Sequence, residues 1–492
     1  MQTSRRVIVW STLVSLMVLA VNATAEVPIP TVAGPIVSPG NPFITPPSSL
    51  HLDDFGYVEQ EFFVSGTARA HTAPVPLGAD GNWPATPDGA TAAYTTRILV
   101  RRPTTSAKFN GTVVVEWLNV SGGLDAAPDW TFVHPMLKRD GYAWVGVSAQ
   151  FQGVAGTGGP LGLSLALKFA NPARYGSLVH PGDTFSYDMF SQVAQALRHP
   201  NGVDPLGGLK PRRVIAIGES QSAFRFVTYV NAVHPVAHVY DGFLIHSRGG
   251  GGAALSQSPQ VAIPAPTPSF IRADIDVPVL IFETETDLTS LGYFAARQPD
   301  RGNIRTWEVA GTAHDDAYGL SVGPNDPGTA ALDTTYLPPV TSVFGVIQCA
   351  QPINQGPQHY VLNAALNRLN RWVRKGRVSG DPFSPRLDIA PGPPPVIQRD
   401  GFGNALGGIR TPQVDVPIAA LSGLGQTGGA FCALFGTTVA FDAATLASLY
   451  PSHDDYVDAV VAAARRAVHE GFLLRVDTTA IKAAALASSI GH

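Results

Sequence analysis

Cysteine and charge are both scarce in this sequence. Two cysteines in 492 residues exclude the dense disulfide framework of a small secreted domain and leave no paired C-x-x-C for a zinc ribbon. The metalloprotease spelling H-E-x-x-H is missing as well, so neither a metal nor a cofactor is expected. Charged residues make up 14% of the chain, 33 basic against 37 acidic, well below the ~25% of an average globular protein. With a formal charge of −4, nothing suggests a nucleic-acid partner. No internal repeat is found, which argues against a solenoid or propeller.

The one pronounced apolar run is at the start. Arg5 and Arg6 precede an apolar stretch from Val7 to Val21 and the small-residue site Ala23-Thr24-Ala25. The run is shorter than the ~20 residues of a spanning helix, and the pattern is that of a secretory signal peptide (residues 1–25) cleaved before Glu26. The chain is therefore expected in the periplasm or outside the cell, without a stable membrane anchor. Removing Arg5 and Arg6 takes the formal charge from −4 to −6. What remains has 50 glycines and 42 prolines along the whole chain, the mark of a large, loop-rich globular protein. In an exported chain the even pair Cys349 and Cys432 is most simply one disulfide.

After the proline-rich stretch "EVPIPTVAGPIVSPGNPFITPPSS", an extended arm, strands are predicted at "YVEQEFFVSGTA", "AAYTTRILVRRP" and "GTVVVEWLNV". A second group follows at "YAWVGVSAQ", "RRVIAIGES", "VYDGFLIHS", "VPVLIFETE" and "IRTWEVAG". Several are continuous apolar runs, as strands buried on both faces should be. Helices alternate with them at "SYDMFSQVAQALRH", "QSAFRFVTYVNAV" and "QHYVLNAALNRLNRWVRKG". That alternation predicts an α/β fold with a mostly parallel central sheet covered by helices. A further helix is signalled at "PSHDDYVDAVVAAARRAVHEG", capped by Ser452 and stopped by Gly471. The stretch "HSRGGGGAALSQSPQVAIPAPTPS" reads as a long flexible insertion.

Within "RRVIAIGESQSA" a buried strand meets a polar turn and then a helix. A nucleophile elbow needs that order, with small residues two before and two after the nucleophile, because the turn brings strand and helix backbones together. Gly218 satisfies the first position, and Ser222 stands where a glycine is usual. Ser220 is the candidate nucleophile. The strand "PVLIF" runs into "ETETD", where the acid belongs, and "RTWEVAG" ends in "TAHDD", placing His314 at the histidine position. The spacing favours Asp287 as the acid over Glu285. In this arrangement His314 takes the Ser220 proton, Asp287 orients the imidazole, and Ser220 attacks a carbonyl to form an acyl-enzyme. The oxyanion hole then needs the backbone N–H of Gln221 and one from "LNVSGG", either Asn119 or Val120. Asn119-Val120-Ser121 and Asn110-Gly111-Thr112 are also glycosylation sequons, and burial near the site argues against a glycan at Asn119. His246 and Arg248 end another strand, either lining the pocket or serving the structure.

With these residues in place the chain resembles the α/β-hydrolase superfamily, and more closely the bacterial proteins described as "alpha/beta hydrolase domain-containing". The passages that carry the resemblance include "EWLNVSGGLDAAPDW", "RYGSLVHPGDTFSYDMFSQ", "GESQSAFR", "AGTAHDDAYG" and "GNALGGIRTPQVDVPIAAL", spread over nearly the whole mature chain. It implies a serine hydrolase acting on esters, with Ser220 as nucleophile and His314 as base, and does not choose between Glu285 and Asp287. The elbow is also similar to the G-E-S-A-G of type B carboxylesterases, but their H-G-G-G stretch is missing.

The resulting expectation is an exported carboxylic-ester hydrolase acting on a small-molecule or lipid-like ester. An N-terminal arm with the first strands occupies 26–90. The hydrolase core spans 91–380, with insertions at 151–185 and 247–275, and an extension packed on the core runs over 381–492. The apolar "LGLSLALKFA" in the first insertion suits either a lid or an ordinary packing helix. An acyltransferase using the same triad, or a silent binding protein on the scaffold, are the alternatives.

Overall fold

A computed structural model describes residues 26–159, 164–376, 384–429 and 431–492; the anticipated signal peptide and part of the possible lid lie outside them. Ten strands form one sheet: β1 (Thr31–Ala33), β2 (Tyr57–Thr72), β3 (Thr86–Pro103), β4 (Thr112–Trp117), β5 (Ala143–Val147), β6 (Asn201–Gly202), β7 (Arg213–Glu219), β8 (Gly242–His246), β9 (Val279–Glu283) and β10 (Ile304–Glu308). Their spatial order is β6-β1-β2-β3-β5-β4-β7-β8-β9-β10. From β5 through β10 all neighbours are parallel, while β1, β2, β3 and β5 pair antiparallel. The chain reverses direction across the sheet at β4, which lies between β5 and β7. Ligand crevices of open α/β sheets form at the C-terminal ends of strands beside such a reversal.

The apolar runs of the central strands divide between two cores. Val113, Val115, Val214, Ala216, Phe243, Ile245, Val279 and Ile281 face one. Val114, Ile215, Ile217, Leu244, Leu280 and Phe282 face the other. The alternation follows from the two-residue period of a strand, and it explains why these segments show no polar face in the sequence. Helices Ser186–Arg198 and Gln221–Thr228 cover the first core, and helices Pro128–Asp140, Gln358–Lys375 and His453–Glu470 cover the second.

The structure departs from the sequence reading in several places. Pro128–Asp140 is an unanticipated helix, begun by Pro128 and closed by Gly141 at φ 73°. The predicted helix after the elbow is α-helical only through Thr228 and then widens to a π-turn over Tyr229–Val233. The long glycine-rich insertion is packed down rather than flexible: Leu255, Ser256 and Ser269 are buried, and Ser269 N donates to the Gly250 carbonyl at 2.8 Å. In the possible lid, Leu167 joins Val154, Tyr175 and Leu178 in a small satellite core. Among the described residues no helix is long and apolar enough to cross a membrane.

Candidate active site

Strand β7 delivers Ser220 to its C-terminal end, and the helix Gln221–Thr228 leaves immediately after. Ser220 has φ 57° and ψ −118°, a left-handed conformation that costs a residue with a side chain on the order of 1–3 kcal/mol. Its N–H donates to the His246 carbonyl at 2.9 Å, so the neighbouring strand helps hold the strained turn. The demand for small flanks is visible in the packing. A Cβ on Gly218 would lie 2.6 Å from the Phe226 ring and 2.9 Å from Ser222 Cβ. Serine at 222 is therefore tolerated because position 218 has no side chain at all, and Ser222 is fully buried.

Two later loops converge on this turn. The Ser220 hydroxyl lies 2.7 Å from His314 Nε2, and His314 Nδ1 lies 2.6 Å from Asp287 Oδ1. Asp287 is fixed from its other oxygen, which accepts from Thr284 N and Thr284 Oγ1, both at 2.7 Å, in a capping box at the start of helix Glu285–Thr289. Thr286 Oγ1 accepts the His314 N–H at 3.1 Å, tying the histidine loop to the same helix. The structure thus brings Ser220, His314 and Asp287 into one hydrogen-bonded line.

Glu285, the rival acid, points elsewhere. Its carboxylate accepts from Gly311 N at 2.7 Å and Gly423 N at 3.1 Å, and pairs with Arg399 at 2.7 Å. It joins the histidine loop to the C-terminal segment.

Burial opposes a charge on His314, yet Asp287 and Glu219 overcome it and push the imidazole up to about 9. Glu219 was not singled out by sequence reasoning. It is the residue before Ser220, and its Oε1 lies 3.1 Å from His314 Nε2. Burial raises its carboxyl well above the usual range, partly offset by His314. The only sequence signal was an acid at the variable position of the elbow, where no side chain is specified.

Of the two residues offered for the second oxyanion donor, Asn119 does not serve: its N–H donates to the Ala126 carbonyl at 2.9 Å. Val120 is the other residue offered for that donor, and the Gln221 N–H stands in the first turn of its helix, where no carbonyl of the helix can take it. The Asn119 side chain is buried and donates from Nδ2 to Glu219 O and Oε2, each at 3.1 Å. A glycan there would destroy both contacts.

His246 and Arg248 do not line an open pocket. Both are fully buried. His246 Nδ1 bonds to Asp129 at 2.8 Å and its Nε2 meets the Gln358 amide nitrogen at 3.0 Å. Arg248 donates to the Ser269 carbonyl at 2.5 Å. Cys349 and Cys432 form a disulfide with Cα atoms 5.5 Å apart. Among the described residues one group could chelate an ion, His234, His238 and Asp276, with the two histidines 2.9 and 3.2 Å from separate oxygens of Asp276. A groove of about 870 Å³ between the N-terminal arm and β2 contains none of the Ser220 constellation.

Residues 25–483 match the family model described as "Alpha/beta hydrolase domain". No curated protein matches the sequence. Among solved structures, a thermostable esterase from Pseudomonas putida is 12% identical, with 56% of this chain and 79% of that one covered at a TM-score of 0.29. A glucuronoyl esterase from Teredinibacter turnerae is 13% identical, with 57% and 74% covered at 0.27. Another from Solibacter usitatus is 11% identical, with 55% and 83% covered at 0.26.

Proposed function

This chain belongs to the alpha/beta hydrolase domain family, and from that premise we propose that it is an exported serine hydrolase of carboxylic esters. The observation that carries the proposal is the line from Ser220 Oγ through His314 to Asp287, with contacts of 2.7 and 2.6 Å, set on a strained turn at the end of a buried strand. Seryl oxygen is a weak nucleophile until a base takes its proton, and a base facing the hydroxyl while held from behind by a carboxylate meets that need.

In the proposed reaction Ser220 Oγ attacks the ester carbonyl as its proton passes to His314 Nε2. The carbonyl electron pair moves onto oxygen, where the N–H groups of Gln221 and Val120 receive it. Collapse of the tetrahedral centre expels the alcohol, which takes the proton from His314. Water, activated by the same histidine, then releases the acid from Ser220. Asp287 does not itself gain the proton. It keeps Nδ1 protonated and Nε2 free to accept.

Export rests on the leader-like first 25 residues and on the Cys349–Cys432 bond, which suits an oxidising compartment. The partner is a small-molecule or lipid-like ester. A panel of p-nitrophenyl esters of rising chain length, run with a Ser220→Ala control and an active-site serine phosphonate, tests the reading. Turnover lost in the variant and label found on Ser220 support it. Undiminished turnover in Ser220→Ala refutes it.

A further inference from the structure

We propose that Glu219 is a positioning residue that holds His314 through Nε2 and thereby sets the pH at which Ser220 can be activated, an inference that rests on the esterase reading above. The imidazole has an acid on each side. Asp287 holds Nδ1 at 2.6 Å. At Nε2 two partners compete: the Ser220 hydroxyl at 2.7 Å and Glu219 Oε1 at 3.1 Å. When Nε2 is unprotonated it accepts the seryl O–H. When Nε2 carries a proton it donates to the Glu219 carboxylate, and Ser220 is left without a base.

Glu219 cannot easily swing away. It ends β7 in register with His246, its side chain is 7% exposed, and its second oxygen accepts from Asn119 Nδ2 at 3.1 Å. Asn119 in turn accepts the Ser121 N–H on Oδ1 at 2.8 Å, which places Glu219 between the histidine and the loop of the proposed second oxyanion donor. One carboxyl therefore registers the base against that loop.

The proton balance is simple. During acylation the O–H bond of Ser220 breaks, the N–H bond at Nε2 forms, and the O–H electron pair becomes the new bond to the carbonyl carbon. Glu219 neither gains nor loses a proton. It offers an acceptor to the imidazolium as that ion forms, so the ion pair needs no main-chain movement.

The groups facing this ring are acids. Asp287 approaches from the helix Glu285–Thr289, Glu219 from β7, and Asp315 from the histidine's own loop. Asp129, on the helix Pro128–Asp140, faces Glu219 from beyond. His246 on β8 is held neutral, pushed down to about 3 by burial. Burial also lifts Asp315 to about 7. An imidazole surrounded in this way keeps its proton at neutral pH, consistent with its rise to about 9.

The test compares wild type, Glu219→Gln and Glu219→Asp by two readouts: the acid limb of kcat/KM against pH, and the His314 titration midpoint from NMR of histidine-labelled protein. Glutamine removes the charge and keeps an oxygen for Asn119; aspartate keeps the charge and withdraws it. The glutamine variant is expected to move limb and midpoint down by about one pH unit or more, the size of effect a close carboxylate has on its neighbour, with a smaller downward move for aspartate. Should the glutamine variant fail to fold, as shown by circular dichroism, the aspartate variant decides by the same direction. Limb and midpoint unchanged within about 0.3 unit in every folded variant overturn the proposal, since one unit is the shift such a contact carries. Failure of the esterase reading looks different: Ser220 takes no phosphonate and no ester turns over, while the NMR midpoint still reports whether Glu219 holds the ring.

Discussion

Two histidine–aspartate pairs lie near the elbow, and their imidazoles are shifted in opposite directions. His314 with Asp287 and His246 with Asp129 have nearly the same Nδ1 contact, 2.6 and 2.8 Å. Yet His314 rises to about 9, whereas burial drives His246 down to about 3 and lifts Asp129 well above the usual carboxylate range. The pairs differ in how strongly their aspartates act on the ring, Asp287 being the largest cause that raises His314 while burial lifts Asp129 itself, and they differ again at the second nitrogen. His314 Nε2 meets a hydroxyl and a carboxylate. His246 Nε2 meets the amide nitrogen of Gln358, a donor that cannot accept a proton. A carboxylate on one side of an imidazole therefore does not by itself make a base; the burial of that carboxylate and the group facing the other nitrogen both count.

The comparison breaks most sharply by deletion. His314→Ala is expected to lower ester turnover by ~10⁴-fold or more. His246→Ala should leave turnover within about tenfold and appear instead as a melting-point loss worth ~2–4 kcal/mol, from the cavity and the orphaned Asp129. Equal loss of kcat in both variants would erase the distinction. At the acids, Asp287→Asn should reduce kcat by ~10³–10⁴-fold, because an amide supports the wrong tautomer. Asp129→Asn changes a group that touches His246 and not the Ser220–His314–Asp287 line, so steady-state kinetics should register a change of less than about tenfold.

A pH profile sharpens the contrast next. The reaction needs His314 neutral, and its raised value means kcat/KM should climb about tenfold per pH unit up to about 9, rather than levelling near the ordinary ~6.5 of a histidine. A plateau reached by pH 7 would show that the surrounding acids do not act on the ring. The smallest effect is expected at Glu285. Its loss as Glu285→Ala should cost about 2–4 kcal/mol in denaturant unfolding, for a buried carboxylate whose arginine partner is partly solvated, with kcat falling far less than in Asp287→Asn.

The parallel sheet was legible because β4, β7, β8 and β9 are buried on both faces, which writes them as unbroken apolar runs in the sequence. Ser220, an acid and His314 were legible because each follows a strand in the order the fold requires. Between Glu285 and Asp287 spacing could only lean, since both occupy one helical turn, and only the turn's direction in space sends Asp287 to the histidine and Glu285 to Arg399. Asn119 failed as a donor because its partner, Ala126, is brought back by a loop closure that no local pattern announces. Asp129 and His246 are separated by 117 positions, and their meeting depends on packing between a helix and β8. Glu219 was hidden for another reason: the elbow pattern constrains its neighbours and is silent about the residue itself.

The grip of the C-terminal segment on the two acid-bearing loops has a practical consequence. Arg399 and Gly423 hold Glu285, the Gly423 carbonyl accepts from Thr286 Oγ1 at 2.6 Å, and the Leu434 carbonyl receives the Asp315 N–H at 3.3 Å. Anyone trimming this chain to a minimal biocatalyst, or grafting its catalytic half onto another scaffold, would cut away the masonry under the histidine. The smallest transferable piece runs at least through Leu434.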